Sequence, residues 1–154
     1  MPRLWRNVSH QSQRSRADCL PTAARMALSY LGYAISYEML YDRLGTRPYG
    51  TPFRHLQRLA DLGLTVVMDY LSIAEIETYI AQDLPVIAGV HTAALPYWTV
   101  AADHVVVLVG VEPDHVYLHD PVMKDGPQRV SRTAFELAQL DFDNLCAVIT
   151  KKWG

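Results

Sequence analysis

A single apolar stripe with helical spacing marks the first part of the chain. Apolar residues recur at intervals of three and four from position 20 to position 31, and Gly32 follows them. That period is typical of a helix with one buried face, and a glycine often ends such a helix. Asp18 stands at a natural N-cap position, and Pro21 fits the first turn, where backbone N–H groups have no intrahelical acceptor. The pattern predicts a helix that begins at or next to Cys19.

The second half of the chain has the pattern of strands. Residues 105–111 are a continuous apolar run rich in valine, which predicts a central strand without a solvated face. Residues 115–119 alternate as a second strand, and residues 112–114 form a turn between the two. Antiparallel pairing brings the end of the second strand beside the start of the first. We therefore expect Asp120 next to His104, although they are sixteen residues apart in the sequence.

The rest of the chain alternates between capped helices and apolar strands. Capping residues and apolar periods predict helices from Ser36 to Leu44, from Thr51-Pro52 to Gly63, from a Ser72–Glu75 capping box to about Gln82, and from Ser131 to about Leu140. Apolar runs predict strands at 64–70, 86–90 and 144–149. Helices come first and a mostly antiparallel sheet follows, which is an α+β order. Since no repeat, low-complexity segment or linker interrupts the chain, we expect a single domain over residues 1–154.

Four polar residues stand at the predicted ends of these elements, and together they suit catalysis by a cysteine nucleophile. At a helix N-terminus, the unpaired N–H groups and the helix dipole stabilise a Cys19 thiolate and can bind an oxyanion. Gln13 could bring a side-chain amide to the same point. His104 could act as the base, and an Asp120 carboxylate could fix its tautomer and leave the other ring nitrogen facing the thiol. Each residue alone has an ordinary structural explanation, but catalysis explains the four together more economically.

Three segments carry a resemblance to a known family. These segments resemble the bacteriocin-processing cysteine peptidases and their stand-alone relatives, which belong to the papain-like superfamily: residues 13–32, with a Gln six positions before the Cys and an Asp-Cys pair opening the helix, residues 103–110 and residues 116–121. The match extends from about Val8 to Val130. It implies a two-lobe papain-like fold. The N-terminal lobe would be helical and contain the nucleophile helix, and the C-terminal lobe would be a mostly antiparallel β-sheet.

The resemblance also implies roles for individual residues. It implies a Cys-His-Asp triad and an oxyanion-hole glutamine at Cys19, His104, Asp120 and Gln13. Gln11 is the competing glutamine, but it lies eight positions before Cys19 and fits the motif less well. The family usually has Gly after the nucleophile, whereas this chain has Leu20. A larger side chain near the cleft would alter the range of substrates.

The resemblance favours a cysteine peptidase that acts on a peptide or protein substrate. Transporter-linked members of the family cut leader peptides after two small residues, often glycines, and by analogy this chain could do the same. An acyl or peptidyl transferase would use the same thioester chemistry and hand the acyl group to an amine or thiol. A non-catalytic peptide-binding module is the third alternative. The retained Cys19 argues against it, because the inactive branch of the family lacks the cysteine.

Composition and charge restrict the class of protein, its partners and its location. The chain has 154 residues, of which 50% are hydrophobic and 19% charged, so it is globular rather than disordered. A net charge of −2 argues against nucleic acid as the main partner. Four arginines flank the nucleophile segment and are expected to be solvated, although they could meet an acidic peptide: Arg3, Arg6, Arg14 and Arg16. No run of eighteen apolar residues is present and no apolar segment follows the first arginines. We therefore expect no membrane insertion, no secretory signal and a cytoplasmic location.

Other reactive side chains have simpler explanations. Cys146 lies in an apolar strand, where we expect a buried and inert thiol rather than a disulfide to Cys19. Three further histidines, His91, His115 and His119, could suggest a metal. No cysteine or carboxylate completes their ligand set, so we expect neither a metal nor another cofactor.

The longest irregular segment of the chain runs from His91 to Asp103 and ends beside the predicted base. It contains Tyr97 and Trp98. Loops next to a catalytic residue commonly shape the substrate cleft, and aromatic side chains there can hold an extended peptide. The alternative is that both aromatic residues pack between the lobes.

Overall fold

An antiparallel sheet of seven strands organises the computed structural model, which describes residues 4–142 and 144–151. The strands are β1 (Leu4–Trp5), β2 (Leu64–Tyr70), β3 (Val86–His91), β4 (Asp103–Val111), β5 (His115–His119), β6 (Gln128–Ser131) and β7 (Leu145–Lys151). Their order in the sheet is β2-β7-β3-β4-β5-β6, and β1 pairs with the end of β4. The strands predicted from the sequence are confirmed. The short strands β1 and β6 were not predicted.

Four α-helices and two 3₁₀ segments complete the described part of the chain. The helices are α1 (Cys19–Tyr30), α2 (Tyr37–Leu44), α3 (Ile73–Ala81) and α4 (Arg132–Leu140), and the 3₁₀ segments are Phe53–Leu62 and Thr92–Ala94. The side chains of Ser36 and Ser131 cap α2 and α4, and Ser72 and Glu75 form both halves of a capping box on α3. The predicted helix starts at these three serines are confirmed because each serine satisfies a backbone N–H that lacks an intrahelical acceptor.

The two faces of the sheet carry different helices. On one face, side chains of β4 such as Val105 and Val107 pack in a core with α1, α2 and the 3₁₀ helix 53–62. On the other face, Val106 and Leu108 pack in a second core with α3 and α4. The predicted absence of a solvated face on this strand is therefore confirmed. The helical layer that contains α1 and the sheet beside it give the expected mixed arrangement of helices and antiparallel strands, an α+β fold.

The segment 53–62 differs from the prediction in helix type. Its ends agree with the predicted helix between Pro52 and Gly63, but it is a 3₁₀ helix. Its buried residues are Phe53, Leu56 and Leu59, which recur every three positions. A 3₁₀ helix has three residues per turn, so this spacing places the three side chains on one face, where they enter the first core.

Arg3, one of the four arginines considered above, lies outside the described residues. Among the residues that the structure describes, no helix is both long enough and apolar enough to cross a membrane.

Candidate active site

Helix α1 sets the position of Cys19, which is its first residue and is half-buried. Asp18 occupies the N-cap position as predicted, and its backbone carbonyl accepts from Thr22 N at 3.1 Å. Its side chain makes no cap hydrogen bond, so a capping role for this carboxylate is wrong. The buried carboxylate instead accepts a hydrogen bond from the hydroxyl of Tyr37, the first residue of α2. Asp18 therefore links the start of the two helices, and the first-turn N–H groups beside Cys19 have no side-chain cap from it.

The pairing of β4 with β5 brings His104 and Asp120 together. His104 Nε2 lies 2.6 Å from Asp120 Oδ1, and both side chains are buried, with 6% and 0% of their area exposed. His104 is the second residue of β4, and Asp120 follows the last residue of β5. The predicted proximity of these two residues, sixteen positions apart in sequence, is thus observed.

A β-bulge in β4 decides which face of the sheet Asp120 occupies. Leu108 pairs with Leu118 but Gly110 pairs with Tyr117, so one extra residue is inserted in β4. The shifted register places His119 opposite Val107, and its continuation places Asp120 on the face that carries His104. Without the inserted residue, Asp120 would fall on the opposite face, because neighbouring strand positions alternate between faces.

Four donors bind the Asp120 carboxylate. Oδ1 accepts from His104 and from Val122 N, the latter at 3.0 Å. Oδ2 accepts from Tyr97 Oη at 2.7 Å and from Trp98 Nε1 at 2.8 Å. Burial would raise the pKa of Asp120, but hydrogen bonds from His104, Trp98 and Tyr97 and the charge of His104 outweigh it, so the pKa is lowered. The residue is a carboxylate anion at neutral pH.

The remaining ring nitrogen of His104, Nδ1, is left for the thiol of Cys19. Burial lowers the pKa of His104, but hydrogen bonds to Asp120 and to Cys19 and the charges of both residues raise it to about 9. His104 is therefore protonated at neutral pH.

Gln13 lies on the segment that precedes α1 and is tied to the loop after Asp120. Its backbone N–H donates to the Pro121 carbonyl at 2.7 Å. Its side-chain Nε2 donates to the Ser15 carbonyl at 2.7 Å, and its Oε1 is buried without a partner. An amide nitrogen carries two hydrogens, so Nε2 keeps a second hydrogen that the Ser15 carbonyl does not use.

The competing glutamine, Gln11, points to a different part of α1. Its Nε2 donates to Ser29 Oγ at 3.4 Å, and its Oε1 accepts from Arg25 Nη1 at 3.3 Å. Ser29 lies ten residues beyond Cys19, which corresponds to about 15 Å along a helix. The side-chain amide of Gln11 is thus directed away from the nucleophile.

A cleft of about 430 Å³ opens beside Cys19 and His104. Its other walls are Arg16 and Ala17, residues 48–53, Asp103, Val105 and Phe142. Residues 48–53 and Phe142 were not recognised from the sequence. The prolines and glycine at 48–52 indicate a loop, but nothing in their order along the chain places them opposite His104. Leu20 is the second residue of α1, and its side chain is fully buried in the first core and does not line this cleft. The expected position of this side chain near the cleft is therefore wrong, and its effect on the range of substrates stays a prediction.

Tyr97 and Trp98 do not hold a peptide at the cleft but are partly buried against the second core, and packing between the lobes stays a prediction. They are not among the residues that line the cleft, and their polar atoms both bind Asp120. The Trp98 ring also meets the His104 ring edge to face, with centroids 4.8 Å apart and planes at 61°. Both aromatic residues therefore contact Asp120, and Trp98 also contacts His104.

Other candidate side chains lie apart from this site. Cys146 is fully buried in the sheet and accepts a hydrogen bond from Gln139 Nε2 at 3.3 Å, and burial raises its pKa to about 12. Both cysteines are free thiols. Within residues 4–142 and 144–151, no group of three or more His, Cys, Asp or Glu side chains is arranged to hold a metal ion.

The sequence matches the model of a known protein family. The model of the peptidase C39-like family matches residues 5–145, which is nearly the whole chain. The chain belongs to the peptidase C39-like family. Membership supports a C39-type cysteine peptidase, and it agrees with the family resemblance seen in the sequence motifs. A search of curated protein sequences found no match.

Solved structures share the C39-like fold at low sequence identity. A protein from Bacillus anthracis named as a C39-like peptidase has a TM-score of 0.83 at 18% identity, with 100% of both chains covered. The peptidase domain of Streptococcus ComA, a bifunctional ABC transporter involved in a quorum-sensing pathway, has a TM-score of 0.76 at 17% identity, covering 95% of this chain and 100% of that one. A double glycine motif protease from an AMS/PCAT transporter, in complex with the leader peptide, has a TM-score of 0.72 at 15% identity, covering 99% and 100%.

Proposed function

We propose that this C39-like protein is a cysteine peptidase that uses Cys19 as its nucleophile. One observation carries the proposal: His104 binds the buried Asp120 carboxylate through Nε2 and also interacts with the Cys19 thiol, and both Cys19 and His104 face an open cleft. A base that contacts the nucleophile on one side and an orienting carboxylate on the other is the geometry that nucleophilic catalysis requires. A buried ion pair with a purely structural role would not need a thiol at the cleft.

Cys19, Gln13 and His104 have separate roles in the two steps of the reaction, acylation and hydrolysis. The Cys19 thiolate attacks the peptide carbonyl carbon, and the carbonyl electrons move to an oxyanion. The Cys19 backbone N–H and the free Nε2 hydrogen of Gln13 stabilise that oxyanion. The His104 imidazolium then gives its proton to the amine as the C–N bond breaks, which leaves a thioester on Cys19. Water adds to the thioester, His104 takes its proton, and the carboxylic acid product leaves as the thiolate returns.

Asp120 acts through His104 and not on the substrate. It accepts from Nε2, so it selects the ring orientation in which Nδ1 faces the thiol. Its negative charge also raises the pKa of His104, which keeps a proton available for the leaving amine at neutral pH. The carboxylate therefore sets both the direction and the protonation state of the acid and base.

The substrate we propose is a peptide or a protein segment that enters the cleft in an extended form. Two of the similar structures are peptidase domains of transporters, and one of these was solved with a leader peptide. By analogy we propose cleavage after two small residues of a leader peptide. We further propose that residues 1–154 act as one cytoplasmic domain.

The test is a peptide-library digest of wild-type protein against the Cys19→Ala variant, with new N-termini identified by mass spectrometry. We expect new termini only with the wild type, enriched after small residues, and an acyl adduct on Cys19 at short times. Cleavage that survives Cys19→Ala would contradict the proposal. Complete lack of cleavage with retained peptide binding by both proteins would instead support a peptide-binding module.

The same digest can separate hydrolysis from transfer. With glycinamide added as an acceptor amine, a peptidase yields mainly the free acid, because water resolves the thioester. A transferase yields mainly the product joined to glycinamide. A predominance of the joined product at millimolar acceptor would reassign the chain as an acyl or peptidyl transferase.

A further inference from the structure

We infer that Tyr97 and Trp98 are positioning residues that hold the Asp120 carboxylate in the orientation in which it binds His104, and this inference rests on the proposed function. Both side chains come from the irregular segment between β3 and β4 and donate to the same oxygen, Oδ2, at 2.7 and 2.8 Å. The opposite oxygen, Oδ1, is the one that binds His104. The two aromatic residues therefore hold the carboxylate on the side away from the imidazole.

The geometry leaves the carboxylate little freedom to rotate. A side chain held only by His104 and Val122 N, both on Oδ1, could turn about its terminal torsion, because that torsion is soft in aspartate. Two donors on Oδ2 oppose that turn. Both donors are neutral, so they bind the carboxylate without placing a second positive charge beside it, and His104 stays its cationic partner. Asp120 thus stays both ionised and directed at Nε2.

Trp98 adds a second restraint, on the imidazole itself. Its ring lies edge to face against the His104 ring at a centroid distance of 4.8 Å. One tryptophan therefore limits the motion of both members of the His-Asp pair, and it is part-buried and does not line the cleft. A loop that satisfies Asp120 and packs on His104 is suited to keep water out of their hydrogen bond.

The roles of the two donors can be tested with Tyr97→Phe, Trp98→Phe and the double variant, which keep an aromatic ring at each position and remove the donors. We expect kcat to fall about 10- to 100-fold in the double variant, because a small misplacement of a catalytic group has an effect of this size. KM should change little, because neither residue lines the cleft. Tyr79→Phe is the matched control: it removes a tyrosine hydroxyl from α3 in the same core, and since Tyr79 is not among the donors to Asp120, kcat should be unchanged.

The decisive readout is the combination with Asp120→Ala. If the aromatic donors act only through Asp120, removing them from the Asp120→Ala protein should produce no further loss of kcat. A merely structural role would give the same fold-loss in both backgrounds. Equal losses in the two backgrounds, or a double variant with wild-type kcat, would overturn the inference. If the double variant fails to fold, Tyr97→Phe alone can be compared in the wild-type and Asp120→Ala backgrounds in the same way.

A measurement that does not need peptidase activity keeps this inference separate from the proposed function. In the proton NMR spectrum, the His104 Nε2 proton bound to Asp120 should give a far-downfield signal, assigned by its loss in His104→Gln. We expect the signal to move upfield and exchange faster in Tyr97→Phe/Trp98→Phe. An unchanged signal would refute the positioning role even if the enzyme proves inactive on every peptide. A changed signal without any turnover would support it while the proposed function fails.

Discussion

His104 and His119 are two buried histidines on neighbouring strands whose pKa values shift in opposite directions. Burial lowers the pKa of both rings. His104 faces the Asp120 carboxylate and the Cys19 thiol, and its pKa is raised to about 9. His119 faces the Val8 carbonyl and the ring of His10, and its pKa is lowered because the carbonyl does not outweigh burial and the charge of His10.

The difference shows that the partners of a histidine, and not its burial, decide its chemistry here. His104 is cationic at neutral pH and can deliver a proton. His119 is neutral and donates from Nε2 to Val8 O at 2.6 Å, which ties the N-terminal segment to the sheet. One ring suits acid and base chemistry, and the other suits a structural hydrogen bond.

The same substitution at both positions should separate the two histidines most strongly. Glutamine keeps an N–H donor near the place of Nε2, so His104→Gln and His119→Gln should both fold. We expect His104→Gln to lower kcat by on the order of 10²–10⁴-fold, because the acid and base are lost. His119→Gln should stay within about threefold of wild type on the same peptide, measured by steady-state kinetics. Equal losses in the two variants would mean that His104 has no special role.

The second prediction concerns Gln13 and its neighbour Gln11. If Gln13 donates to the oxyanion as charge develops, Gln13→Ala should reduce kcat by about 10²–10³-fold. Substrate binding should change little. Alkylation of Cys19 by iodoacetamide forms no tetrahedral oxyanion, so its rate should stay close to that of the wild type.

Gln11→Ala is the matched control for that prediction. Its amide binds residues farther along α1, so we expect nearly normal turnover. A large loss of turnover in Gln11→Ala would show that the assignment of the oxyanion hole to Gln13 is wrong. Parallel losses of turnover and alkylation in Gln13→Ala would indicate a misfolded site.

The third prediction extends the contrast from the histidines to the two thiols. Cys19 is half-buried beside a cationic imidazole, whereas Cys146 is fully buried and its pKa is raised to about 12. Iodoacetamide near neutral pH should therefore label Cys19 at least about tenfold faster in the folded protein. Peptide mass spectrometry over time measures both rates, and denaturant should equalise them. Faster labelling of Cys146 in the native protein would contradict the assignment of the nucleophile.

The smallest expected effect is on stability against pH. Because the folded pKa of His104 exceeds its ordinary value of 6.5, its contribution is fully present below pH 6.5 and is lost as the pH rises through about 9. His119 has a lowered pKa, so its contribution is lost as the pH falls below 6.5. We expect His104→Gln to reduce the loss in the free energy of unfolding at alkaline pH by on the order of 1–3 kcal/mol. His119→Gln should instead reduce the loss at acid pH. Urea unfolding over a range of pH measures both. The reverse pattern would invalidate the comparison.

Local patterns predicted the elements of the fold well. The serine caps at positions 36, 72 and 131 lie where the structure has them, because an N-cap depends on residues within one turn. The hairpin β4–β5 followed from a valine-rich run, a turn and an alternating strand, and it brings His104 and Asp120 into contact. The catalytic roles of these residues and of Cys19 and Gln13 stay predictions.

Other features depended on contacts that no local pattern contains. Asp18 had the right position for a cap, but Tyr37 from another helix binds its carboxylate. Tyr97 and Trp98 were expected at the cleft or between the lobes, whereas Asp120, more than twenty residues away, accepts from both. A polar side chain binds whichever partner the fold brings within reach, and sequence separation does not limit that choice.

Local sequence patterns were enough to predict where the α-helices and the longer strands begin, which of their faces are apolar, and which residue types suit a cysteine nucleophile and its base. These properties depend on backbone propensities and on periods of two to four residues, which are written directly in the chain. Only the tertiary structure decided that the bulge after Leu108 places Asp120 on the same face as His104, that Leu20 is buried in the core, and that residues 48–53 form a wall of the cleft. Those outcomes depend on the register between strands and on packing between distant segments, where a shift of one residue moves a side chain to the opposite face.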